Sequence, residues 1–188
     1  LKKEDVQPEK AKEYLAVLDR QSARLKKLTE DLVEASKASS GTLPVHLEAV
    51  DVNVLLSQVS GEYQSRLKLS SEDPQILADG KLLWRVFDNL LSNICKYAMP
   101  GTRVYFTSEV LDSRVQISFK NISNYPLDIT ADELMERFVR GDSSRSTEGS
   151  GLGLSIAQSL TGLQKGSFDL VVDGDLFKAN ISFPLLNV

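Results

Sequence analysis

Cysteine and histidine are almost absent from this chain of 188 residues, which has one of each, Cys95 and His46. A single cysteine excludes an intrachain disulfide and a cysteine-based metal cluster, and a single histidine excludes a site with several histidine ligands. No apolar run approaches the roughly 20 residues that a membrane-spanning helix needs, and Leu1 does not open a signal-peptide pattern. These absences exclude most metalloenzymes and disulfide-stabilised scaffolds.

Positive charge is also in short supply. The chain has 22 Lys and Arg residues against 26 Asp and Glu residues, which gives a net charge of −4. That balance excludes a general binder of the phosphate backbone, so we expect no nucleic-acid partner, although a local basic site remains possible. The hydrophobic content of 41% is enough for a core. The length predicts one globular domain with an appendage.

The appendage is a long helix at the N-terminal end. Neither glycine nor proline occurs between Pro8 and Gly41, and Leu18, Leu25 and Leu32 repeat every seven residues. This pattern predicts a helix about 50 Å long with one apolar seam. The seam packs either on the chain's own domain or on other helices. We favour an intermolecular bundle, and therefore a homodimer formed through this helix.

From residue 43 onward, helical and strand-like patterns follow one another. Helices are predicted from Asp51 through Tyr63 and over 81–97, 133–138 and 152–163, and strands over 45–50, 103–110, 114–120, 167–172 and 177–183. Because the helices and the antiparallel hairpins occur in separate blocks, the fold class is α+β. We divide the chain into a helical segment, 1–42, and a globular domain, 43–188.

The strongest local signal is a glycine-rich run, Gly149-Ser150-Gly151-Leu152-Gly153-Leu154, at the start of a predicted helix. Alternate glycines let the backbone approach a ligand closely, and the amides at a helix N-terminus suit phosphate oxygens. The run is not a dinucleotide fingerprint, because polar residues precede it where a strand is required. It is not a P-loop either, because the terminal Gly-Lys-Ser/Thr is absent. A flexible hinge is the alternative.

A second signal lies on the helix predicted over 81–97. Asn89 and Asn93 are four residues apart and share a face, and Lys96 and Tyr97 follow near the helix end. Two amides, an ammonium group and an aromatic ring could bind Mg²⁺, phosphates and a flat base. The alternative is a helix whose polar residues face water while Tyr97 packs in the core.

Three motifs in this order resemble those of bacterial sensor histidine kinases. The run Asn89-Leu90-Leu91-Ser92-Asn93-Ile94-Cys95-Lys96-Tyr97 is similar to their N box, Phe138-Val139-Arg140-Gly141-Asp142 to their F box, and the glycine-rich run to their second glycine box. Residues 21–32 are similar to the second helix of their dimerisation and phosphotransfer hairpin. The resemblance covers nearly the whole chain.

The resemblance implies a Bergerat-type (histidine-kinase-like ATPase) α/β sandwich that binds ATP and Mg²⁺, preceded by a long helix of a dimeric bundle. Asn93 would bind the metal, and Asn89 would support the same site. Lys96 would contact the phosphates and Tyr97 the adenine. Residues 122–148 would form a mobile lid over the triphosphate, and the cofactor site would be completed by Arg140, Gly149, Gly151, Leu152, Gly153 and Leu154. For Arg140, a solvated lid charge is the alternative.

Two departures from the family pattern stand out. The family's first glycine box has an Asp that accepts a hydrogen bond from the adenine amino group, whereas Asn121 occupies the corresponding position here and no glycine follows it. An amide oxygen can still accept that bond, but without charge assistance. A simple turn residue is the alternative. The phosphoacceptor motif is also missing, because nothing around His46 resembles it, so we expect the acceptor histidine upstream of Leu1.

The resemblance implies a protein-histidine kinase whose phosphorylated histidine is relayed to the receiver domain of a response regulator. Relatives that hydrolyse ATP carry a Glu four residues before the metal-binding Asn. Asn89 occupies that position here and cannot act as a base, which favours transfer over hydrolysis. The alternatives are a pseudokinase that acts as a dimeric scaffold and a stand-alone serine kinase of the same fold. We expect the cytoplasmic portion of a bacterial protein that is membrane-anchored only through upstream segments.

Overall fold

The computed structural model of the chain describes residues 8–61, 65–127, 130–135 and 151–186. The elements are, in chain order, α1 (Pro8–Ser39), β1 (Glu48–Asp51), α2 (Val52–Gly61), β2 (Ser65–Lys68), β3 (Gln75–Ala78), α3 (Gly80–Tyr97), β4 (Val104–Leu111), β5 (Arg114–Ile122), α4 (Ala131–Met135), α5 (Gly153–Leu163), β6 (Ser167–Asp173) and β7 (Leu176–Pro184). Among these described residues, no helix is long and apolar enough to cross a membrane.

The central feature is a mixed sheet of five strands in the order β2-β4-β5-β7-β6. Strand β2 runs parallel to β4, and every other neighbouring pair in this sheet is antiparallel. Strands β1 and β3 form a separate antiparallel pair. Side chains alternate between a buried and a more exposed face along β5 and β7. One face of the sheet is therefore covered, which confirms the predicted α/β sandwich.

Helix α3 supplies much of the covering layer. Its buried side chains are the six that the apolar pattern predicts, namely Leu83, Val86, Phe87, Leu90, Leu91 and Ile94. The ring of Phe119 on β5 lies 5.2 Å from that of Phe87 and 4.9 Å from that of Phe106 on β4. These rings lie within the distances at which aromatic pairs stabilise a core. The polar residues of α3 are left on the opposite face, where the candidate site lies.

The N-terminus of α3 is held by one carboxylate. Asp79 is the N-cap residue, and its Oδ1 accepts hydrogen bonds from the amides of Lys81 and Leu82, 3.0 and 3.1 Å away. Its Oδ2 accepts a third bond, of 2.9 Å, from the amide of His46. Burial alone would raise the pKa of Asp79, but these hydrogen bonds outweigh it and hold the pKa below its usual value.

Helix α1 makes two kinds of surface. Its heptad leucines are exposed, with Leu18 at 64% and Leu25 at 66%. Near its C-terminus, by contrast, Asp31, Ala35 and Ala38 are buried, and the helix packs against α5. The C-terminal part of α1 therefore packs on the chain's own domain, which was the alternative to a bundle, while the leucine seam stays uncovered in the single chain.

Some boundaries differ from those predicted from the sequence. Strands β2 and β3 were not predicted, because each has only four residues and little periodicity. The first strand begins at Glu48, three residues later than expected. The short helix after β5 spans Ala131–Met135, so part of the predicted range 133–138 lies outside the described residues. The division of the chain at residue 42 stays a prediction.

Candidate functional site

The predicted polar cluster lies on the C-terminal half of α3. Asn89 and Asn93 are half-buried on one face, and Lys96 is exposed near the helix end. The side-chain nitrogen of Asn89 donates a hydrogen bond of 3.0 Å to the carbonyl oxygen of Arg85, one turn earlier. That bond leaves the side-chain oxygen of Asn89 as an acceptor on the outer side of the helix.

The end of α3 is joined to the end of β5 through backbone contacts. The amide of Met99 donates to the carbonyl of Ile122 over 2.8 Å, and the amide of Asn124 donates to the carbonyl of Tyr97 over 2.7 Å. A β-bridge between Ala98 and Ser123 lies between these two bonds. Asn121 immediately precedes this connection on the β5 side, so it lies beside the residues that follow α3, and its predicted place in a site with Lys96 and Tyr97 stays a prediction.

Asn121 has an unusual environment. Its side chain is 3% exposed, and its nitrogen donates a hydrogen bond of 3.1 Å to the carbonyl of Ile122. Its side-chain oxygen is buried and has no hydrogen-bond partner among the described residues. A buried acceptor without a partner costs about 1–3 kcal/mol. Such an atom is the kind of acceptor that a ligand amino group would satisfy.

The glycine-rich run leads into α5 next to Asn89. Gly151 has a φ of +74°, a conformation that favours glycine, and a Cβ added at Gly153 would lie 3.5 Å from the side-chain oxygen of Asn89. Leu152, the N-cap residue of α5, makes no side-chain capping bond, and the first turn of the helix contains no acidic residue. The first amides of α5 are therefore suited to an anion beside Asn89.

Leu152 and Leu154 differ from the other predicted site residues. The side chain of Leu152 is fully buried in the core, and that of Leu154 is partly buried against it. Any role of Leu152 toward a ligand must therefore use its backbone. Gly149, Arg140 and the rest of the F box lie outside the described residues, so their predicted roles stay predictions.

A metal ion at this site would be bound mainly by amide oxygens of the protein and by phosphate oxygens of a ligand. Among the described residues, no group of three or more His, Cys, Asp or Glu side chains could hold a metal ion. Asp88, next to Asn89, pairs with Arg85 at 3.2 Å and is directed away from the amide cluster. A magnesium ion at this site would need oxygen ligands from Asn93 and from the ligand itself.

The family relationship rests on the globular domain. The model of the histidine kinase-, DNA gyrase B- and HSP90-like ATPase family matches residues 78–183, which include α3, the end of β5 and the glycine-rich run. The chain belongs to this ATPase family. The match begins one residue before the N-cap of α3 and ends in β7, so it contains every residue proposed for the site.

Individual relatives of the ATPase domain are sensor kinases. The sensor protein VanS of Enterococcus faecium is 30% identical over 162 residues, which are 81% of this chain and 42% of VanS. Full-length ShkA in complex with AMPPNP has a similar fold, with a TM-score of 0.75 and 23% identity over 98% of this chain and 41% of ShkA. ThkA in complex with the response regulator protein TrrA has a TM-score of 0.68 and 19% identity over 96% of this chain and 53% of ThkA.

These comparisons confirm the resemblance to sensor histidine kinases and the fold that it implies. The chain spans less than half the length of VanS, and it corresponds to the catalytic portion of the relatives. The ATPase family also includes enzymes of other kinds, so the reaction of this member must be argued from its own site.

One group near the site was not identified from the sequence. Arg85 on α3 donates to Asp31 and Glu34 on α1, each over 3.1 Å, while its carbonyl accepts the bond from Asn89. Arg85 therefore contacts both the long helix and the amide cluster. Sequence spacing could have suggested the contact between Arg85 and Asp88, but not the contacts across more than 50 residues.

Proposed function

We propose that this chain is the ATP-binding catalytic portion of a sensor histidine kinase, which transfers the γ-phosphate of ATP to a histidine upstream of Leu1. The observation that carries the proposal is the N-terminus of α5, which has no side-chain cap from Leu152 and no acidic residue in its first turn, beside the side-chain oxygen of Asn89. A helix N-terminus binds phosphate oxygens through free amides, and the neighbouring amide side chains supply neutral oxygen ligands.

The adenine would lie at the other end of the site. Asn121 presents a buried oxygen without a partner among the described residues, at the end of β5, which is hydrogen-bonded to the residues around the end of α3. An adenine amino group would donate to that oxygen, and the ring of Tyr97 would pack on the base. The bond to Ile122 fixes the amide of Asn121 with its oxygen as the available acceptor.

Magnesium would be held by Asn93. This side chain is half-buried on the same face as Asn89 and makes no hydrogen bond to the described residues. When bound, the ion neutralises phosphate charge, which is most of what phosphoryl transfer requires of a protein. Lys96 adds a positive charge at the helix end.

The residue four positions before Asn93 favours transfer of the phosphoryl group over hydrolysis of ATP. Asn89 cannot accept a proton from water, and its nitrogen is committed to the carbonyl of Arg85. The adjacent carboxylate, Asp88, is paired with Arg85. Because Asn89 cannot act as a base and Asp88 is already paired, the acceptor is better supplied from outside the domain, as an imidazole.

The partners follow from the relatives and from α1. The exposed leucine seam of α1 would be covered by a second copy, which makes a homodimer, and ThkA has been found with a response regulator. We propose the same class of partner here, together with a cytoplasmic position in a membrane-anchored bacterial protein. No observation on the described residues favours a scaffold without catalysis.

Nucleotide binding is the first test. Calorimetric titration of the chain with AMPPNP should show binding that needs Mg²⁺, and Asn93→Ala should weaken it by about 10- to 100-fold, the usual cost of disturbing a metal site. Ser92→Ala, on the neighbouring position of α3, should bind like the parent. If neither the parent nor Ser92→Ala binds AMPPNP at millimolar concentration, the catalytic proposal is wrong and the scaffold alternative replaces it.

A further inference from the structure

The face of the large sheet opposite α3 carries an unexpected concentration of positive charge. A groove on this face is lined by Arg66, Lys68, Tyr105, Lys120 and Lys178, which we call the basic groove. Its other polar lining residues are Thr107, Glu109, Gln116 and Ser118. The groove has one carboxylate against four cations in a chain whose net charge is −4.

The strand register sets three of these cations in one row across the sheet. Arg66 pairs with Tyr105, Tyr105 with Lys120, and Lys120 with Lys178. With about 4.8 Å between neighbouring strands, the row from Arg66 to Lys178 is about 14 Å long. Like charges directly opposite each other, as at Lys120 and Lys178, destabilise a sheet. The row therefore does not serve the stability of the fold.

No carboxylate lies in the row itself: Asp169 and Asp173 of β6 lie on either side of Val171, the strand neighbour of Lys178. Glu109, two rows away on β4, pairs with Lys68 at 3.2 Å. The ammonium group of Lys120 lies over the ring of Tyr105, 5.4 Å from its centroid. The side chains of Arg66 and Lys178 make no ion pair or hydrogen bond with any residue that the structure describes. The cations of the row are therefore available to an external partner.

We propose that the basic groove docks an acidic segment of a partner protein, with carboxylates that pair with Arg66, Lys120 and Lys178. An extended segment advances about 3.3 Å per residue, so carboxylates at alternate positions over about five residues would span the row. The side chains of Thr107 and Gln116 can bond to the backbone of such a segment. Complementary charge of this kind mainly raises the association rate and the selectivity for a partner.

Other occupants fit the groove less well. Single-stranded nucleic acid binds such sheets through several exposed aromatic rings. The groove has one ring, and Lys120 lies over it. A membrane surface needs apolar groups that insert beside the charges, and Leu67 is the single large aliphatic residue among the lining residues. A small anion would lack backbone amides, because those of the inner strands are used in the ladder.

The test uses the whole chain and a ten-residue peptide with glutamate at alternate positions and serine between them. Fluorescence anisotropy should show binding that weakens as salt rises. The variant Arg66→Gln/Lys120→Gln/Lys178→Gln should bind at least about tenfold more weakly, because three charge pairs are lost. The matched variant Lys27→Gln/Lys37→Gln/Lys81→Gln, which removes three exposed cations elsewhere, should bind within about twofold of the parent.

Three results would overturn the proposal. The first is equal loss of binding in both variants, which would indicate a non-specific charge effect. The second is tighter binding of a ten-residue oligothymidylate, or of phosphatidylserine vesicles, at the same residues. The third is a lower unfolding midpoint of the groove variant, because that would give the row a structural role. Since AMPPNP binding does not use these residues, its persistence in the groove variant separates this proposal from the nucleotide site.

Discussion

Replacing Asp79 with alanine is expected to lower the free energy of unfolding by about 3 kcal/mol at pH 7. Alanine removes the acceptors of three backbone bonds, two at the start of α3 and one from His46. Because Asp79 is buried, the stranded amides cannot be satisfied easily by water. Urea unfolding followed by the fluorescence of Trp84, on the same helix, measures the loss.

Two controls separate the bonds of Asp79. Asp79→Asn keeps one oxygen for the helix cap but places an amide nitrogen opposite the amide of His46, so its cost should be about half that of alanine. Asp51→Ala removes the bond from Asp51 to the amide of Val54, an exposed contact, and should cost about 1 kcal/mol or less. Equal costs for Asp79→Ala and Asp51→Ala would contradict the account.

The contribution of Asp79 should depend on pH. Its pKa in the folded chain is below the usual value of 3.8, so its unfolded form takes up a proton first as the pH falls. The stability that Asp79 contributes is therefore fully present above that usual value, and is lost as the pH falls through the lower pKa of the folded state. The difference between the parent and Asp79→Asn should shrink in that acidic range. An unchanged difference would refute the ionic role.

Replacing Arg85 with alanine should release the C-terminal part of α1 from the domain and cost about 2 kcal/mol. Burial would lower the pKa of the guanidinium group, but Glu34, Asp31 and Asp88 raise it, so the group stays charged. Asp31 is 5% exposed, and without Arg85 its carboxylate would be buried without its cation. A fully buried pair would cost more, but Arg85 is partly exposed to solvent.

Hydrogen exchange locates this effect. Amides of the last turns of α1 should exchange faster in Arg85→Ala, while those of β5 and β7 should keep their protection. Asp88→Ala removes the most exposed partner of Arg85 and should cost about 0.5 kcal/mol or less. If α1 keeps its protection in Arg85→Ala, the ion pairs do not hold the helix on the domain.

The sequence predicts those helices and strands in which apolar residues recur with a clear period. The six buried residues of α3 follow from apolar spacing, and α1 follows from its heptads and its lack of glycine. Short strands such as β2 and β3 have too few residues to show a period, and their position depends on partners far along the chain. Pairing across the sheet also places Lys120 opposite Lys178, which residue patterns alone cannot indicate.

The sequence motifs select the residues of the candidate site, but they do not predict the burial or the hydrogen-bond partners of those residues. Motif order selects Asn89, Asn93 and Asn121, and the structure joins the end of α3 to the end of β5 and places Gly153 beside Asn89. The buried, unpartnered oxygen of Asn121 is a property of the packed state. The same holds for Arg85, whose partners on α1 become neighbours only when the helix folds back onto the domain.

The most direct test of the kinase proposal is phosphorylation of the protein extended upstream through its acceptor helix. With radiolabelled ATP and Mg²⁺, the account predicts label that is stable to alkali and lost in acid, as a phosphohistidine is, and its absence in Asn93→Ala. Release of inorganic phosphate without labelled protein would contradict the proposal, because it would show hydrolysis where transfer is expected. Nucleotide binding with neither product would make the protein a scaffold.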